Sequence, residues 1–179
     1  MNTANKITVA RIFMIFGLLV LMLLSFPNKN YILTIVFIAI SVTDILDGYV
    51  ARKTKKVTAF GKVFDQIADK LLITLAFLYI ITLQPSFYWM VFIILAREFL
   101  VSGFRMVAAS YGVVVQAKTS GKIKMILQTL VIIYILLSFP AAYWALLVVT
   151  IYTSYTCIEY IIKIDKEIKQ ILKKKIKKK

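Results

Sequence analysis

Asp44-Ile45-Leu46-Asp47-Gly48-Tyr49-Val50-Ala51-Arg52, then eight residues, then Gly61-Lys62-Val63-Phe64-Asp65-Gln66-Ile67-Ala68-Asp69, puts four carboxylates into two otherwise apolar segments. The chain holds only eight acidic residues, so half of them are committed to this stretch. An ionisable group at membrane depth costs at least ~2.5–3.5 kcal/mol on insertion scales, and such groups mark functional sites by default. Asp44, Asp47, Gly48, Ala51 and Arg52 follow i, i+3, i+4, i+7, i+8, the spacing of one helix face. Gly61, Asp65 and Asp69 recur at i, i+4, i+8 and also share a face. Two such stripes can face each other.

Working outward, the chain is 61% hydrophobic with a mean hydropathy of +0.85, well above the roughly 45–50% apolar share of soluble domains. These values predict an all-α integral membrane protein. Apolar runs long enough for a ~30 Å hydrocarbon core fall at 7–26, 31–51, 63–84, 86–110, 122–139 and 141–162, which predicts six transmembrane helices. Basic residues cluster at Lys6/Arg11, Arg52 to Lys62, Lys118/Lys122/Lys124 and the C-terminus, while Lys29 alone sits among the opposite connections. The positive-inside rule then places both termini in the cytosol of a multi-pass protein of the cell membrane. No small-residue cleavage site follows Phe26, so the first run is expected to stay as an uncleaved helix.

The length suits one membrane domain, 1–162, followed by a lysine-rich cytosolic tail, 163–179. The formal charge of +15 raises nucleic acid as a partner, but the basic residues lie between apolar runs and at the end of the chain, so no nucleic acid is expected. Nine lysines between Lys163 and Lys179 suit anionic lipid headgroups instead, although a merely solvated helix end would look the same. The single cysteine, Cys157, allows no intrachain disulfide and reads as a small packed residue. Histidine is absent. A general base must therefore be a carboxylate, or less often Lys or Tyr, and a metal site must be built from oxygen.

Four ionised carboxylates this close repel one another unless protonated or neutralised. Two divalent cations would neutralise them, and oxygen-only ligands favour Mg²⁺ or Mn²⁺. At ~1.5 Å per residue, Asp44 lies within two or three turns of Arg52, so the cluster is expected near the cytosolic boundary. Gly48 and Gly61 permit close approach of a ligand, although helix packing alone would also explain them. Aspartates that only tie helices to lysines would need one or two pairs, not four at regular spacing.

The string resembles the signature DxxDGxxAR, GxxxDxxxD of the CDP-alcohol phosphotransferases, with all eight defining positions matched. The resemblance implies a six-helix fold, usually a homodimer, in which an alcohol displaces CMP from a CDP-linked donor. It implies that Asp44, Asp47, Asp65 and Asp69 ligate the two metals and that Asp69 also acts as base on the alcohol. Gly48, Ala51, Arg52 and Gly61 would line the cytidine diphosphate site together with Asp44, Asp47 and Asp65. Such a boundary site would let the diacylglycerol of CDP-diacylglycerol stay in lipid while the alcohol arrives from water.

Arg97-Glu98-Phe99, Arg105, Gly121-Lys122-Ile123-Lys124 and Gln128, with the opening Asn5-Lys-Ile-Thr8-Val-Ala-Arg11, resemble the branch of that family whose acceptor is sn-glycerol 3-phosphate. Arg97 and Arg105 are eight residues apart and share a face, and Lys118 and Lys122 are four apart. A phosphate-bearing acceptor needs such cations. The lysines also fit plain positive-inside markers, and Arg97 could instead pair with Glu98 or another carboxylate of the bundle. Gln66 and Met125 stand where that branch usually has proline and threonine. A related acceptor such as phosphatidylglycerol or serine therefore stays open, as does a cation transporter, which would distribute its acids through the membrane depth.

Overall fold

In the computed structural model the backbone is described for residues 3–54, 59–111 and 119–176, and side chains for 8–43, 64–111 and 120–169. The described residues form α1 (Thr3–Leu23), α2 (Lys29–Thr54), α3 (Ala59–Leu83), a 3₁₀ turn (Pro85–Phe87), α4 (Tyr88–Ser110), α5 (Thr119–Leu136) and α6 (Ala142–Ile176). No strand occurs among them. The expected all-α class holds, and each helix overlays one of the six expected apolar runs. Phe64–Leu83 and Ala142–Lys169 are long and apolar enough to cross a bilayer.

The chain divides into two compact units. The first holds residues 1–85 and 132–140, with α1 packed on α2 and α3. Its core is assembled from helical spacings: Ile15, Leu18 and Met22 of α1, Leu33, Phe37 and Ile40 of α2, and Ala68, Leu72, Ala76 and Ile80 of α3. The opposite face of α1 is as apolar and is bare, with Phe13 72% and Leu23 76% exposed. Apolar surface of that extent on both sides of a helix suits lipid and not water. Hydroxyl groups in these helices bond their own backbone: Thr34 donates to Asn30 O, Ser41 to Phe37 O and Thr43 to Ile40 O. Such internal pairing is what an environment without water demands.

The α1–α2 turn explains the stray Lys29. Asn28 takes a φ of 53°, a left-handed conformation that asparagine tolerates better than most residues. Lys29 Nζ then reaches back 2.7 Å to Met22 O, satisfying a carbonyl in the last turn of α1, and lies 5.3 Å over the Tyr79 ring. The Tyr79 hydroxyl in turn donates to Asn30 Oδ1 at 3.0 Å.

The second unit holds residues 86–131 and 141–179, with α4 packed along α6. Val101, Ala108, Cys157, Tyr160 and Ile164 form a buried cluster, flanked by Ile161 and Ile168. Cys157 is the small packed residue expected of it. With 35 residues, α6 is about 50 Å long, more than a ~30 Å hydrocarbon core requires. It runs without a break through the 162/163 boundary, so the lysine-rich segment is helical as far as Ile176. On its surface Lys163 pairs with Glu167 and Lys169 with Asp165 across single turns.

Candidate metal and substrate residues

Because α3 is helical from Ala59, Asp65 and Asp69 stand one turn apart on one face. The structure brings them together through Arg11 of α1, whose Nη1 lies 3.1 Å from Asp65 Oδ1 and 3.4 Å from Asp69 Oδ1. Arg11 is fully buried, whereas the side chains of Asp65 and Asp69 remain 45% and 30% exposed. The guanidinium thus approaches from inside the unit, and the carboxylates keep a side open to an incoming ion. Sequence reasoning counted Arg11 only as a positive-inside marker and as part of the opening segment. The available signal was an arginine within the first apolar run.

Asp44, Asp47, Gly48, Ala51 and Arg52 lie on the α2 helix, and Gly61 lies in the first turn of α3. Their side chains are outside the described residues. Among the described residues no three acidic, histidine or cysteine side chains converge as a metal-holding group. The two expected ligands that are described fit a hard divalent cation in kind: both are carboxylates, and an oxygen of each shares one cationic neighbour.

In the second unit, Arg97 is buried in α4, with Nη1 3.3 Å from Glu98 Oε1 and Nη2 donating to Thr156 Oγ1 of α6 at 3.2 Å. Arg105 Nε donates to the Tyr160 hydroxyl at 2.7 Å, and the guanidinium lies 5.0 Å from the centre of that ring. The eight-residue spacing therefore does set both arginines on one face, the one turned to α6. Lys124, buried on α5, pairs with Glu98, which also lies 3.5 Å from the Gln128 amide. Lys122 is exposed, and Lys118 lies outside the described residues. The arrangement can present cations to an anionic group while Glu98 offsets those held inside.

Residues 1–155 match the family described as CDP-alcohol phosphatidyltransferase. The chain is 39% identical over 179 residues to a Bacillus subtilis protein named CDP-diacylglycerol–glycerol-3-phosphate 3-phosphatidyltransferase, a match covering 89% of this chain and 93% of that one. A Rickettsia bellii protein of the same name is 39% identical over 127 residues, 71% of this chain and 70% of its own. One from Haemophilus influenzae is 33% identical over 113 residues, 62% and 61% of the two chains. With the aspartate pair on α3, the apolar helices and a match over most of its length, this membrane protein belongs to the CDP-alcohol phosphatidyltransferase family, whose members are transferases.

Proposed function

We propose that the protein transfers the phosphatidyl group of CDP-diacylglycerol to sn-glycerol 3-phosphate, giving phosphatidylglycerophosphate and CMP. The observation that carries the reading is the pairing of Asp65 and Asp69 on one face of α3, in a chain that resembles acceptor-matched relatives over most of its length. The family generally uses divalent metal ions. Asp44, Asp47, Asp65 and Asp69 would hold two of them, Mg²⁺ or Mn²⁺, which when bound would neutralise the pyrophosphate and the departing CMP.

Gly48, Ala51, Arg52 and Gly61 would bind the cytidine diphosphate. Asp69 accepts the proton of the acceptor hydroxyl as its oxygen attacks the phosphatidyl phosphorus, and the bond to CMP breaks in line. Arg97, Arg105, Lys118 and Lys122 take the acceptor phosphate. Arg105 commits Nε to Tyr160, and the rest of the planar fork is suited to a phosphate. Gln66 and Met125 leave a related acceptor as the reading to test against.

α1, α2, α3, α4 and α6 each have at least 21 residues, about 30 Å or more, and α5 with 18 is about 27 Å long. These lengths support six crossings of the cell membrane, and the basic clusters suit an orientation with both termini and the site on the cytosolic side. The protein would act as a homodimer with one membrane domain per chain, 1–162, and the lysines beyond it would lie against anionic lipid. The test is incorporation of radiolabelled glycerol 3-phosphate into lipid from CDP-diacylglycerol, with and without Mg²⁺. Metal-dependent incorporation with release of CMP is expected. Incorporation of serine or phosphatidylglycerol in its place would reassign the acceptor.

A further inference from the structure

Arg11 is fully buried, and its one Nη1 group reaches an oxygen of each of two aspartates a turn apart. A guanidinium cannot deprotonate in a protein, so this positive charge is permanent. An ionised carboxylate pair beside an apolar helix is stabilised by a nearby positive charge, with or without a bound cation. Arg11 supplies it from the inner side, while Asp65 and Asp69 stay accessible from the outer side. A cation drawing on the same carboxylates meets a like charge a few ångströms away, and the oxygens that Arg11 engages are oxygens the cation would polarise.

From this we infer that Arg11 is the built-in counter-ion of the Asp65 and Asp69 pair, and that it competes with divalent cations for those carboxylates. The inference rests on the reading above that Asp65 and Asp69 hold metal. By reciprocity, whatever Arg11 gains from the aspartates in the metal-free protein is lost to the cation when it binds. Arg11 therefore loosens metal affinity while keeping the empty site folded. The opposite sign would follow if Arg11 mainly oriented the ligands, since losing an orienting partner weakens a metal site.

The experiment is thermal unfolding of the full chain in detergent or nanodiscs, titrated with buffered Mn²⁺, for the wild type, Arg11→Met and Arg11→Lys. Wild type should be stabilised by Mn²⁺. Arg11→Met should melt lower than wild type without divalent ions, regain most of that loss at saturating Mn²⁺, and reach half-saturation at about tenfold lower Mn²⁺. Arg11→Lys keeps the charge but on a shorter side chain with a more strongly hydrated head, so it should hold the carboxylates less well and shift the midpoint in the same direction by about threefold, and it decides the matter if Arg11→Met does not fold. An unchanged or raised midpoint in the folded variants overturns the inference and leaves the metal reading standing. A wild-type protein indifferent to Mn²⁺ removes the metal reading, and the inference with it.

Discussion

Arg105 of α4 donates Nε to the hydroxyl of Tyr160 on α6 at 2.7 Å and lies over the face of the same ring, 5.0 Å from its centre. One aromatic residue thus fixes both the plane and the rotation of the guanidinium. Arg105→Ala is expected to raise KM for glycerol 3-phosphate at least about tenfold with a smaller change in kcat, because a charge-assisted phosphate contact is worth roughly 1.5–3 kcal/mol. Tyr160→Phe keeps the ring and loses the hydrogen bond, so its KM should fall between the two. Initial-rate measurements over a range of acceptor concentrations check both.

Glu98 collects Lys124, Arg97 and the Gln128 amide within the second unit. Glu98→Gln leaves two buried cations short of an anion, and breaking a buried pair in this way costs about 3–5 kcal/mol. Thermal unfolding in detergent should show a clear drop in Tm. Combining Glu98→Leu with Lys124→Met should recover part of it, since Arg97 is then the one buried cation of the pair left without Glu98.

Asp69→Asn and Asp65→Asn should each lower CMP release from CDP-diacylglycerol by at least about a hundredfold, the lower end for loss of a general base or a metal ligand. The protein should still insert into membranes. Chelation with EDTA should silence the wild type, and Mg²⁺ or Mn²⁺ should restore it but not the variants. The assay is CMP release from purified protein of equal monodispersity.

Lys29→Ala removes the ammonium from the Met22 carbonyl and from the Tyr79 ring. The expected loss is about 1–2 kcal/mol of stability, from one hydrogen bond and one cation–π contact. Activity at low temperature should be near normal, as Lys29 opens α2 next to the α1–α2 turn and is not with the aspartates of α3. Paired Tm and activity measurements separate the two effects.

The helices were legible because their apolar runs are long and their polar residues periodic. The run expected at 63–84 becomes Ala59–Leu83, and the one expected at 7–26 becomes Thr3–Leu23. The differences lie at the ends, where polar first turns continue a helix that hydropathy cannot see. Asp65 and Asp69 were legible as a pair because a fixed rise and rotation per residue turn a spacing of four into adjacency. Arg97 and Arg105 were placed on one face for the same reason.

Partners on other helices follow no such rule. Lys29 read as a stray charge, Arg11 as a positive-inside marker in the opening segment, and Glu98 as one of several options for pairing with Arg97. By itself, the order of residues determined the helical class, the lipid-facing character and the stripes of acid and base on single helices, because these follow from local geometry and transfer energies. Only the tertiary structure decided that Arg11 reaches from α1 to Asp65 and Asp69, that Glu98 gathers Lys124, and that Tyr160 holds Arg105. A buried charge takes whichever opposite group packing brings within about 3 Å, and that distance belongs to the fold and not to any spacing along the chain.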